Sequence, residues 1–198
     1  MKRKILLDAF FYLIVPLLMW NLFRENLGDY LTILFGMIPA VIYTALSAII
    51  QKEWNVTGIF FLSIISMNFL FNLLSKTAEQ ELWNGVYMSV ISFSFYLVTI
   101  VVKKPIGMYF FIDYAFAKGF HRKASKELYS SSNNFHYFVE FTLFLMVREV
   151  IVGAVKSFLI FKNGVSAFNT IQITGSVLGY VFTGLTVLYV IYILKKIK

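Results

Sequence analysis

Glu140, Arg148, Glu149 and Lys156 interrupt an otherwise apolar run between Phe138 and Phe161. Placing a charged side chain in the middle of a bilayer costs ~2.5–3.5 kcal/mol even on the lenient insertion scale, so such groups face protein or water. Arg148 and Glu149 fall near the centre of the run and, as sequence neighbours on a helix, point about 100° apart. The spacing therefore predicts a partner on another helix for each of them. Glu149, Gly153 and Lys156 share one face, and Glu140, Phe144 and Arg148 share another. Polar residues in other apolar runs that could serve as partners are Asn21, Asn68, Asn72, Thr44, Ser47, Ser92, Ser94, Gln172 and Thr174, with Asp8 near the N-terminus. Two readings follow. In one, the charges are interhelical glue. In the other, Arg148, Glu149, Glu140, Asn68, Asn72 and Gln172 form a central substrate or ion site in which Glu149 titrates and Arg148 sets its charge state. Lys156 lies close enough to the end of the run to snorkel.

Other chemistry is sparse. There is no cysteine, which excludes disulfides, thiolate metal sites and cysteine nucleophiles. No Gly-rich phosphate loop, H-E-x-x-H site or G-x-S-x-G elbow occurs, so no catalytic residue or cofactor is assigned and enzymatic activity is not favoured. His121 and His136, with Asp113 or Glu127, could ligate a metal, but Arg122 and Lys123 beside them disfavour a cation. No metal site is expected.

The elements that position these residues follow from composition. The chain has 198 residues, 59% hydrophobic and 14% charged, and 22 Phe, 12 Tyr and 3 Trp. Its mean hydropathy is +0.75. These values exclude a water-soluble enzyme and a disordered chain and point to a bilayer. A membrane-crossing helix needs ~20 mostly apolar residues. Six stretches qualify: about 5–23, 31–50, 56–74, 86–102, 138–161 and 171–194. The expectation is an all-α polytopic membrane bundle, one transmembrane domain with short connections and antiparallel neighbours. Lys2, Arg3 and Lys4 resemble the basic region of a signal peptide, but the apolar run after them is too long and no small-residue cleavage site follows, so the segment is expected to stay attached.

With the N-terminus inside, 13 of the 18 Lys and Arg fall on the cytoplasmic side, while only Arg24, Lys76 and Lys162 fall outside. This bias predicts both termini in the cytoplasm. It also reads the net charge of +8 as attraction to anionic leaflet lipids rather than to nucleic acid, for which no folded domain presents the basic residues. The long connection 103–137 holds Pro105, which should begin a new helix. The periodicity predicts one interfacial amphipathic helix from Ile106 to Tyr129: Phe110, Ala117, Phe120, Ala124 and Leu128 recur on one side, and Lys118, Arg122 and Lys126 on another. Lys118, Arg122, Lys123 and Lys126 are the expected lipid-binding residues, and Asn134 is the expected cap of the fifth helix.

Pro16 and Pro39, with Gly36 one turn before the latter, predict kinks that free backbone carbonyls and a cavity ringed by the first, second and fifth helices. In the sixth run Gly175, Gly179 and Thr183 recur every four residues, which permits close packing within the bundle or a homodimer.

Pro16-Leu17-Leu18, Gly36 with Pro39, and Lys104-Pro105-Ile106 followed by Tyr109 together resemble an uncharacterised family of small bacterial integral membrane proteins, loosely similar to intracellular septation protein A. In that family the fourth helix typically ends in Arg-Pro-Leu and an aromatic, where this chain has Lys104 and Ile106, and the fifth carries an acidic residue near the position of Glu149. The resemblance implies six helices in a bacterial cytoplasmic membrane and no particular activity. The functional expectation is a small transporter or channel-like protein with its polar site on the fifth helix. The alternative is a membrane scaffold that engages lipids or a partner membrane protein in envelope assembly.

Overall fold

A computed structural model describes residues 7, 10–51 and 56–197. Lys2, Arg3, Lys4, Asp8 and the turn at 52–55, all used in the sequence reading, lie outside them, as do the side chains of Thr44 and Ser47. The described residues form helices and turns without a strand. After a π-helical turn at Phe10–Ile14 come α1 (Val15–Gln51), α2 (Val56–Leu74), α3 (Ala78–Val101), α4 (Ile106–Ala117), α5 (Arg122–Tyr129), α6 (Phe135–Asn163) and α7 (Phe168–Lys196), with a 3-10 turn at Gly164–Ala167.

Four of these stretches are long and apolar enough to cross a membrane: Val15–Tyr43, Val56–Leu74, Ala78–Val101 and Phe135–Lys196. The first and last double back, which gives six long helical limbs among the described residues. At Gly28 the backbone takes φ 75° and ψ 165°, a conformation glycine adopts without the penalty of a Cβ. The two limbs of α1 then return against each other, with Phe11 stacked on Tyr43 and Gly36 against Pro16 and Met19. Arg24 closes the turn by a forked pair with Asp29. Between α6 and α7 the 3-10 turn does the same work, and Tyr137 meets Tyr192, Phe141 meets Tyr189, and Phe144 meets Phe182.

Four contacts fix antiparallel pairs. Met37 faces Asn72, Phe60 stacks on Phe95, Gly85 faces Lys156, and Trp20 stacks on Phe168. Consequently one end of the bundle carries Tyr43, Thr57, the connection 102–134 and the end of α7. The other end carries Gly28, Ser75–Thr77 and Gly164–Ala167. Two aromatic-rich cores fill the ends: Tyr96, Phe111, Tyr129, Phe138 and Phe141 near the connection, and Trp20, Ile33, Leu82, Ile160 and Phe168 at the opposite end.

Several sequence expectations change. Pro39 sits in helical backbone, and the break in α1 falls at Gly28 instead. Pro16 follows the π-helical turn, which accommodates the amide that proline lacks. The fourth apolar run was expected to begin at Val86, yet α3 begins eight residues earlier. Thr77 Oγ1 accepts the Gln80 amide at 3.2 Å and Gln80 Oε1 accepts the Lys76 amide at 2.7 Å, a capping arrangement that overrides the charges of Glu79 and Glu81.

The expected single helix from Ile106 to Tyr129 is two. α4 ends at Ala117, and Gly119, at φ 93°, turns the chain into α5. α4 is tucked into the bundle, because Gly107 lies so close to α6 that a Cβ there would stand 2.8 Å from the Phe141 ring. Its amide donates to Thr142 Oγ1 at 3.1 Å. Only α5 is strongly amphipathic, with Ser125 and Tyr129 inward. Burial holds the Tyr129 phenol above its ordinary titration range. Asn134 does not cap α6 with its side chain; it is buried and donates to the Leu128 carbonyl at 3.0 Å.

Candidate functional site

The inward side of α3 carries buried polar groups along its whole length: Glu81, Asn84, Ser89, Ser92 and Thr99, with Tyr96 among them. Two neighbours meet this stripe. Along α6, the Lys156 ammonium lies over Gly85, 3.2 Å from where a Cβ would be, and Gly153 meets Ser89 one turn away. That register brings Glu149 level with Ser92 and Tyr96. The Ser89 hydroxyl donates to the Gly85 carbonyl of its own helix at 3.4 Å. Arg148 Nη1 lies 3.2 Å from Glu149 Oε1, with the two side chains 39% and 11% exposed. The seam thus holds one carboxylate between two cations, in surroundings where charge interactions are stronger than in water.

Two sequence readings are revised by this geometry. Arg148 and Glu149 pair with each other, because the long guanidinium side chain bends back across the 100° between them. Lys156 turns into the α3–α6 seam instead of snorkelling outward.

On its other side α3 meets an amide network. Asn84 Nδ2 donates to Asn72 Oδ1 at 2.8 Å and to Ser75 Oγ at 2.7 Å. Asn72 Nδ2 donates in turn to Asn68 Oδ1 at 3.4 Å and lies 3.0 Å from the Met37 sulfur. Asn68 lines a half-open cavity of about 220 Å³ together with Pro16, Met37, Ala40, Ile65 and Gln172. The cavity lies between the two limbs of α1, α2 and α7. The sequence placed the fifth helix at such a cavity, but α6 packs along α3 on the far side of the network. Among the described residues, no charged side chain lines this cavity.

The six residues predicted as one site therefore occupy three places. Asn68 and Gln172 line the cavity and Asn72 stands behind Asn68. Arg148 and Glu149 hold the α3–α6 seam. Glu140 is near the connection end, where Tyr189 donates its hydroxyl to Glu140 Oε2 at 3.4 Å.

Two buried carboxylates were not singled out as site residues. Asp113, 5% exposed, accepts from both the Thr57 amide and hydroxyl at 2.8 Å and pairs with Arg122 at 3.3 Å. It thereby caps α2 and ties α4 and α5 to it. Offered above as a metal ligand, Asp113 is committed to these partners, and no group of three or more ligating side chains occurs among the described residues. Glu81 sits in the first turn of α3; the Thr77–Gln80 capping spacing is the signal that could have drawn it into the helix.

The connection end of the bundle is basic and aromatic. Arg122 lies 4.4 Å over the Phe116 ring and Lys118 5.7 Å over Tyr114. Lys123 and Lys126 are exposed beside Phe120, itself 65% exposed, and Leu128.

Comparison with protein-family models, with characterised proteins and with solved structures finds no match to this chain.

Proposed function

We propose that the chain is a small multi-pass membrane protein of the transporter or channel-like class, crossing the bilayer six times with its basic end in the cytoplasm. The cavity at Asn68 and Gln172 takes a small, uncharged, hydrogen-bonding solute. The observation that carries this reading is that cavity, joined through Asn68, Asn72 and Asn84 to Ser75 at the opposite end of the bundle. A cavity of this size holds several waters but is smaller than the ~300–1,000 Å³ usual for drug-sized ligands. Its amides offer donors and acceptors without charge, which suits neutral solutes. In this reading Arg148, Glu149 and Lys156 fix the α3–α6 seam against which the network is held.

Swelling of proteoliposomes in gradients of urea and glycerol tests the proposal. The wild type should raise permeability to at least one of them, and Asn68→Leu and Gln172→Leu should remove most of the increase. Wild-type vesicles no more permeable than empty ones would refute it.

A second reading, a lipid-engaging scaffold, is favoured by the exposed Lys118, Lys123, Lys126 and Phe120 at the basic end, a composition suited to anionic headgroups. Gly175 and Gly179 on α7 face open space, so the small-residue line there is free to form a homodimer face in the same scaffold.

A further inference from the structure

Glu81 is 5% exposed, and among the described residues neither of its carboxyl oxygens has a hydrogen-bond partner. Its helical neighbours Ala78 and Leu82 pack in the apolar core with Trp20, Ile33 and Phe168. Charged groups on the surrounding elements are engaged or turned away. Arg24 is paired with Asp29, and Lys156 lies against Gly85 in the field of Glu149. Glu25, Lys76, Glu79 and Lys162 are exposed. α7 contributes no ionisable residue near this end. Among the described residues the other buried acceptor without a partner is Asn169 Oδ1, whose amide nitrogen donates to Asn21. These groups offer acceptors and no spare donor. An ionised carboxylate here would have no salt bridge and no hydrogen bond among the described residues, which costs several kcal/mol. A metal cation would need several converging oxygens, and no group of three or more His, Cys, Asp or Glu side chains is present among the described residues.

We propose that Glu81 is a proton-binding site: a carboxylic acid held neutral at physiological pH in the helical core at the end of the bundle opposite the basic connection. One turn along α3 lies Asn84, the start of the amide network, so the site is placed to couple proton binding to that network. The proton occupancy itself does not depend on the cavity's role and is measured without any solute.

The test is infrared spectroscopy of the full chain in lipid nanodiscs near neutral pH. The wild type should show the C=O stretch of a protonated carboxyl. The band should vanish in Glu81→Gln, shift in Glu81→Asp, and persist in Glu149→Gln and Glu140→Gln. Sodium and potassium should leave it unchanged. No such band in the wild type, a band unaltered by both Glu81 substitutions, or a band removed by sodium would each overturn the proposal. Because the Asp variant keeps the acid and reports by a shift, misfolding of the Gln variant alone does not decide the outcome.

Discussion

The Arg148 guanidinium pairs with the carboxylate of the next residue in the chain, Nη1 to Glu149 Oε1 at 3.2 Å, and Gly153, one turn on from Glu149, packs against Ser89 of α3. Glu149 therefore sits where its helix packs on α3, and Lys156 two turns along lies over Gly85 of that helix. Removing the carboxylate charge leaves two cations in the seam. Glu149→Gln should lower stability by roughly 1–3 kcal/mol. Arg148→Gln should cost less, since Lys156 still compensates Glu149, and the double variant should be less impaired than the sum of the singles. Thermal unfolding in detergent, followed by circular dichroism, measures all three; strict additivity would contradict the coupling.

Close approach makes some glycines essential and leaves others free. Gly107→Ala should destabilise strongly, by roughly 1–3 kcal/mol or more, because the methyl meets the Phe141 ring at 2.8 Å and the Phe138 carbonyl at 3.1 Å. Gly179→Ala should be nearly neutral for the folded monomer, since nothing lies within 4 Å. The same melting experiment separates them, and Gly179→Leu read by size-exclusion chromatography reports whether α7 forms a dimer face.

Asp113 ends three interactions in one carboxylate. Asp113→Asn keeps its size but loses the charge that Arg122 and the α2 N-terminus share, and should cost about 1–2 kcal/mol. Arg122→Gln should cost less, its side chain being 42% exposed. Equal costs would place the clamp's energy in the ion pair rather than in the cap on Thr57.

Lipid binding at the basic end is expected to follow charge. Replacing Lys118, Lys123 and Lys126 by Gln removes three exposed cations, each worth about 1 kcal/mol near an anionic surface. Co-purified phosphatidylglycerol, counted by native mass spectrometry, should fall in the triple variant, and added salt should weaken the wild type in the same direction. Lipid retention that ignores both changes would contradict this role.

Hydropathy carried much of this architecture, because helices that bury or expose apolar surface all round need little else to be recognised. The two hairpins at Gly28 and Gly164 were legible for that reason, and the start of α4 from the amide that Pro105 lacks. Features set by local hydrogen bonds were not. The first two turns of α3 looked like a polar connection until the Thr77 and Gln80 caps were seen, and Glu81 was hidden with them. α4 looked interfacial because its basic neighbours belong to α5, and the periodicity across Gly119 ran two helices into one. The site was misjudged for a related reason: polar residues in separate spans can be enumerated from sequence, but which of them meet depends on helix rotation. That rotation sends Asn68 and Gln172 to a cavity and Glu149 to the α3–α6 seam.

The claim on which the account rests is that the bundle crosses a membrane six times with its basic end in the cytoplasm. The chain has no natural cysteine, so single cysteines at Lys76, Lys162 and Lys123, all exposed, report directly. In intact bacterial cells an impermeant maleimide should label Lys76→Cys and Lys162→Cys, and should label Lys123→Cys only after the membrane is opened. Labelling of Lys123→Cys in intact cells, or protection of both of the others, would contradict the account.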